Sequence, residues 1–207
     1  MAFSGGDTPR RAYELLARPE FKAHISWEEV HVFWGDERCV PVDDPRSNER
    51  MVRKALLDHV PIPPAQVHPI ACAESPNKAA ERYESLLRAF FTGWPSAFDL
   101  VLLGLGEDGH TAGLFPRSPG VKEMKRWATK VEDNEAGICR VTLTVPLFNQ
   151  AAVVAFLVSG RAKARALYEV LEGPLDPTRF PAKLIRPPKG ELLWLVDEAA
   201  GVELKET

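Results

Sequence analysis

Cysteine is scarce in this chain, with three in 207 residues, at positions 39, 72 and 139. The number is odd, no C-x-x-C occurs, and no Cys/His cluster has zinc-finger spacing. That usage fits a reducing compartment best. No apolar run reaches the roughly 18 residues that a membrane-spanning helix needs. The first residues, MAFSGGDTPRR, contain no apolar core of the kind a secretory signal carries. The expectation is a soluble, cytoplasmic protein. Charge of one sign is also missing: Lys plus Arg number 26, Asp plus Glu 29, and the net charge is −3. A phosphate-backbone binder usually shows a basic stripe, so nucleic acid is not an expected partner. There is no internal repeat and no long linker. The 45% hydrophobic and 27% charged fractions are those of an ordinary globular protein. Only proline stands above the usual level, with 18 residues that predict many sharp element ends. A single domain over 1–207 is expected, since a chain this long buries roughly 70% of its unfolded surface in one core.

Short apolar runs alternate with amphipathic stretches, the pattern of an α/β domain. Val30 to Trp34 reads as a strand. Ser47 is placed to cap a helix whose Met51, Val52, Ala55 and Leu56 share a face. Ser75 followed by Pro76 marks the start of a second helix, with Ala79, Ala80, Tyr83, Leu86, Leu87, Phe90 and Phe91 on one side and Gly93 and Pro95 beyond its end. Phe98 to Gly104 is nearly all apolar, as a strand buried on both faces should be. Arg140 to Val145, Val153 to Val158 and Glu191 to Val196 are further strands, and Lys163 to Leu171 is a helix. Arg117 to Ala128 and Gly173 to Arg186 lack a clean period and predict loops and short helices.

Ligands of doubly wound sheets bind beyond the carboxyl ends of the strands, so the loops that follow strands carry the chemistry. The first is Ser4-Gly5-Gly6-Asp7-Thr8-Pro9. Gly5 and Gly6 let backbone N–H groups close around an anion, Thr8 adds a hydroxyl, and Pro9 suits the first helical position. A plain glycine turn with a threonine cap accounts for the same residues equally well, and Asp7 opposes an anion unless its side chain turns outward. The second is Gly35-Asp36-Glu37-Arg38, either a substrate-facing cluster or an internal ion-pair network. The third is Gly104-Leu105-Gly106-Glu107-Asp108-Gly109-His110-Thr111. It contains G-x-G-x-x-G after a strand, but Pro116, Pro119 and Gly120 break the long helix that a dinucleotide site requires. His110 two residues after Asp108 is the better focus, because a carboxylate orients an imidazole and stabilises its protonated form. Arg140 and Lys163 matter only if the fold brings them to the first loop. His24, His31, His59 and His68 have no comparable setting.

Taken together, FSGGDTP at 3–9, WGDER at 34–38, Ser47-Asn48, FDLVLLGLGEDGHTAGLFP at 98–116, RVTLTVP at 140–146, GRAKA at 160–164 and LLWLVDEAA at 192–200 resemble the 6-phosphogluconolactonase family. The resemblance implies a modified Rossmann-like fold, with a mainly parallel, doubly wound sheet and helices on both faces. It also implies hydrolysis of 6-phosphoglucono-1,5-lactone in the oxidative pentose phosphate pathway. No cofactor and no metal are implied; the partner is a small sugar phosphate, and the protein is a monomer or homodimer. Carried over residue by residue, His110 is the general base and Asp108 supports it. Gly5, Gly6, Thr8, Arg140 and Lys163 hold the phosphate. Asp36, Arg38 and Asn48 line the sugar site. Apart from the resemblance, backbone N–H groups of the Gly104–Gly109 loop, which contains Gly106 and Gly109, are candidates to hold the oxyanion. Relatives usually carry a further strand and helix ahead of the SGG loop, whose absence would leave apolar surface exposed. The rivals are an amino-sugar-phosphate deaminase or isomerase and a non-catalytic sugar-phosphate sensor. The deaminase loop has an acid just before its proline, where this chain has Phe115 before Pro116.

Overall fold

The computed structural model describes residues 1–72, 75–94, 97–133 and 137–205. In chain order the elements are β1 (Ala2–Phe3), α1 (Asp7–Leu16), α2 (Pro19–Lys22), β2 (Val32–Trp34), β3 (Asp36–Arg38), α3 (Asn48–Ala55), β4 (Val67–His68) and α4 (Pro76–Phe90). They continue with β5 (Leu100–Gly104), β6 (Ala128–Asp133), β7 (Ile138–Leu143), α5 (Val145–Phe148), β8 (Val153–Val158), α6 (Ala164–Leu171), β9 (Glu191–Val196) and α7 (Glu198–Gly201). Single 3₁₀ turns at Pro119–Lys122 and Pro181–Leu184 occupy the two stretches that lacked a period.

Six strands form a parallel sheet in the order β4-β2-β1-β5-β8-β9. The two-residue strand β1 lies at its centre, and Ala2 and Phe3 are completely buried. β5 and β8 are apolar on both faces because both faces are covered: Val101, Leu103, Val154 and Phe156 on one face have no exposure, and Leu102 and Ala155 on the other are 9% and 4% exposed. β9 is the edge strand, and there Leu193 and Leu195 are 43% and 57% exposed.

A second, antiparallel sheet of three strands, β3-β7-β6, was not read from the sequence. The run expected as Arg140 to Val145 pairs here as β7, Ile138–Leu143, and α5 begins at Val145. β3 escaped notice because Asp36-Glu37-Arg38 is charged and only three residues long. Burial supplies what the pattern did not: Asp36 and Glu37 are 2% and 4% exposed, each held by partners described below. α4 packs between the sheets, contacting β6 and β7, while its Tyr83 hydroxyl donates to the Trp34 carbonyl and accepts from the Trp34 N–H.

The caps follow the sequence. Ser47 Oγ accepts from Arg50 N, Ser75 Oγ from Lys78 N, and Pro76 opens α4. Leu86 is the exception on that helix, at 36% exposure. Pro95 lies outside the described residues. The thiols depart from expectation. Cys39 and Cys72, 33 residues apart, are joined by a disulfide with Cα atoms 5.1 Å apart, and Cys139 is free. The pairing joins the end of β3 to the segment before α4, a proximity that no local motif encodes. Among the described residues no helix is long and apolar enough to cross a membrane.

Candidate active site

The three strand-end loops converge on one cleft of about 550 Å³. Its walls include Gly5, Gly6 and Thr8 from the first loop, Asp36 and Arg38 from β3, and Asn48 from α3. Gly106 and His110 come from the loop after β5, Arg140 from β7, and Lys163 from the turn after β8. Ten of the twelve sequence-derived site residues therefore line the same space. Asp108 sits beside His110 and lines an adjoining hollow. Gly109 faces elsewhere: its carbonyl accepts from Ala182 N, and the Phe180 side chain packs against its Cα.

The first loop differs from expectation in detail. α1 begins at Asp7, with Gly6 as N-cap at φ 102°, so Pro9 is the third helical residue rather than the first. Thr8 makes no side-chain cap, as no side chain caps this helix. Its first-turn N–H groups have no acceptor within the helix, which favours a negative ligand there. The Asp7 carboxylate, which opposed an anion on paper, is 87% exposed and paired with Arg10 at 3.2 Å. Gly5 has to be small, because a Cβ on it would lie 2.0 Å from Asn48 Oδ1.

Asp36, Arg38, Asn48 and Arg140 form one hydrogen-bonded network. Asn48 Nδ2 donates to the Asp36 carbonyl at 2.9 Å and to its Oδ1 at 3.2 Å. Arg38 Nη1 donates to Asn48 Oδ1 at 2.6 Å and to the Arg46 carbonyl at 2.9 Å. Arg140 donates from Nη1 to Asp36 Oδ2 at 3.1 Å, from Nε to Asp133 Oδ2 at 3.1 Å, and from Nη2 to the same Asp133 oxygen. Arg140 was expected as a phosphate cation. It lines the cleft, but two buried carboxylates neutralise it, because β7 pairs directly with both β3 and β6.

Glu37 was not singled out as a site residue, yet it holds this wall in place. Its buried carboxylate accepts from the N–H groups of Arg38, Asn48 and Glu49 at 2.7, 2.7 and 2.6 Å, and from Ser47 Oγ at 3.2 Å. Burial pushes its carboxyl up to about 7, against the pull of those backbone donors. The same residue thus anchors the N-terminus of α3, which carries Asn48.

His110 Nδ1 lies 2.6 Å from Asp108 Oδ1, and the His110 backbone N–H donates to the same oxygen at 3.0 Å. Burial works to raise the Asp108 carboxyl, but its hydrogen bonds to the His110 ring and backbone hold it below the usual range. An ionised Asp108 only accepts, so Nδ1 carries the proton and a neutral His110 presents Nε2 as a free base. Gly106 makes room for this pair: a Cβ there would lie 2.1 Å from His110 Nδ1 and 2.6 Å from Asp108 Oδ1. Phe115 packs on the imidazole at 4.9 Å between ring centroids. Two of the expected oxyanion donors are already engaged, since Gly106 N–H donates to the His110 carbonyl and Gly109 N–H to the Gly106 carbonyl.

Lys163 Nζ is 3.7 Å from Glu107 Oε1 across the cleft mouth. Its loop is tied down by Asp197, also absent from the sequence-derived set. Asp197 accepts from Ser159 Oγ at 2.7 Å, from Gly160 N at 3.0 and 3.1 Å, and from Ala200 N at 2.8 Å.

Residues 1–194 match the family model described as glucosamine-6-phosphate isomerases/6-phosphogluconolactonase. The chain belongs to that family. It is 48% identical over 209 residues to a 6-phosphogluconolactonase of Synechocystis, covering 99% of this chain and 84% of the relative. A 6-phosphogluconolactonase of Haemophilus influenzae is 36% identical over 97% of the chain and 85% of its own length. Among solved structures, the 6-phosphogluconolactonase of Trypanosoma brucei superposes with a TM-score of 0.84 at 30% identity, covering 99% of this chain and 85% of that one. A monomeric glucosamine-6-phosphate deaminase superposes at 0.82 with 19% identity, so that protein shares the fold.

Proposed function

We propose that this chain hydrolyses 6-phospho-D-glucono-1,5-lactone to 6-phospho-D-gluconate, a step of the oxidative pentose phosphate pathway. The observation that carries the proposal is the Asp108–His110 pair, set in a cleft whose opposite wall is the glycine loop and N-terminus of α1. In this reading the phosphate rests at Gly5, Gly6 and Thr8, with Lys163 closing over it. The sugar hydroxyls meet Asp36, Arg38 and Asn48. His110 Nε2 takes a proton from water as the water attacks the lactone C1 carbonyl. The imidazolium, stabilised by Asp108, returns that proton to the ring oxygen as the tetrahedral intermediate collapses. Atoms balance: one water enters, the C1–O ring bond breaks, and a carboxylic acid and a hydroxyl result.

The high identity to 6-phosphogluconolactonases supports this reading over the deaminase. So does Phe115: where the deaminase loop needs an acid before its proline, this chain packs an aromatic ring against His110. The test is hydrolysis of freshly prepared 6-phosphogluconolactone, corrected for spontaneous opening, with glucosamine 6-phosphate as the rival substrate. The proposal expects turnover of the lactone and none of the amino sugar.

A further inference from the structure

We infer that Arg11 is the cation that sets the preference of this cleft for a phosphorylated sugar. The inference rests on the lactonase reading above and names a specificity residue that reading did not contain. A phosphate monoester brings up to two negative charges, and the cleft has to supply positive charge that no carboxylate has already cancelled. Arg140 faces Asp36 and Asp133. Lys163 shares its charge with Glu107 at 3.7 Å. Arg38 has no carboxylate partner among the described residues, but its Nη1 is committed to the Arg46 carbonyl and Asn48 Oδ1, on the sugar side of the cleft.

Arg11 is different. It lines the cleft and is exposed, and among the described residues it makes no ion pair and no side-chain hydrogen bond. It sits on α1 three residues after Thr8, so the two share a helix face and reach the same end of the cleft. The preceding arginine, Arg10, is spent on Asp7 and Glu14 at 3.2 and 2.9 Å. That pairing keeps the Asp7 carboxylate occupied and leaves Arg11 unopposed beside the loop. A guanidinium there offers a forked, charge-assisted contact to phosphate oxygens that the first-turn N–H groups complete.

The test compares wild type, Arg11→Gln and Arg11→Lys on 6-phosphogluconolactone and on unphosphorylated gluconolactone. Arg11→Gln is expected to raise KM for the phosphorylated substrate by about 10-fold or more, the range of a charge-assisted bond. kcat should stay within about twofold, the unphosphorylated substrate should be unaffected, and Arg11→Lys should recover part of the loss. A structural defect would instead depress both substrates together. In parallel, titration calorimetry with inorganic phosphate reads the same residue without catalysis: wild type binds and Arg11→Gln binds at least several-fold more weakly. If the wild type binds phosphate in this Arg11-dependent way but does not open the lactone, the lactonase reading fails and the Arg11 assignment stands. An unchanged KM and unchanged phosphate affinity in Arg11→Gln overturn the assignment.

Discussion

Arg140 Nη1 reaches Asp36 Oδ2 at 3.1 Å across 104 residues of chain, joining β7 to β3 at the floor of the cleft. Both side chains are nearly inaccessible, at 11% and 3% exposure, and Asp133 holds the other edge of the guanidinium. The arginine is therefore a clamp on Asp36. Removing one member of a buried, hydrogen-bonded charge cluster leaves uncompensated charge and costs about 3–5 kcal/mol. Arg140→Ala should lose stability on that scale in urea or thermal unfolding. A variant that loses activity while its unfolding midpoint is unmoved would show instead that Arg140 serves the ligand alone.

His110→Ala should lower kcat by about 10²–10⁴-fold, the usual contribution of a positioned general base. Asp108→Asn should also lower kcat, because an amide at that place no longer stabilises the imidazolium or enforces the Nδ1–H tautomer. Circular dichroism checks that both variants fold. Near wild-type turnover in His110→Ala, above the spontaneous background, would remove His110 from the mechanism.

Glu37 makes a pH-dependent contribution to stability. Its carboxyl is raised by burial from 4.5 to about 7, so between those values the fold retains a proton that the unfolded chain releases. The associated stability is complete below about 4.5 and is lost as the pH rises through about 7. Integrated over that window it amounts to about 3 kcal/mol at most. The difference in unfolding free energy between pH 5 and pH 8 should shrink in Glu37→Gln relative to wild type. An identical pH dependence in the two proteins would contradict the assignment.

Asp197 fixes the Ser159–Gly160 turn that leads to Lys163, and in the proposed function it is a positioning residue for the phosphate site. Asp197→Ala should raise KM for the phosphorylated lactone severalfold with kcat little changed, and Asp197→Asn should restore part of the loss. Equal effects on phosphorylated and plain lactone would mean that the turn does not serve the phosphate.

Most of the parallel sheet was legible because its long strands, β5 and β8, are continuously apolar, whereas the two-residue strand β4 was not, being too short to show a pattern. Ser47 and Ser75 cap as their sequence positions imply. The antiparallel sheet was not legible: β3 is three charged residues whose burial depends on partners from β7, α3 and the end of β6. The loops that form the cleft could be found because each follows a strand. The state of each charge within them could not. The Asp7–Arg10 and Arg10–Glu14 pairs that leave Arg11 unopposed are local contacts of α1, each one of several that its charged residues could make; that Arg140 is neutralised is a tertiary fact. Glu37 and Asp197 went unnoticed as site residues for the same reason, since a carboxylate that accepts backbone N–H groups has no distinctive spacing. The Cys39–Cys72 pairing belongs with them, because it depends on a β3 strand that the pattern did not reveal.

The role of the Asp108–His110 pair is tested by the rate of ring opening of fresh 6-phosphogluconolactone with wild type and His110→Ala, each corrected for spontaneous hydrolysis. Wild type should accelerate ring opening strongly and prefer the phosphorylated lactone markedly over gluconolactone, and His110→Ala should run near background. A folded wild-type protein that leaves the spontaneous rate unchanged, or a His110→Ala variant as fast as wild type, would contradict that role.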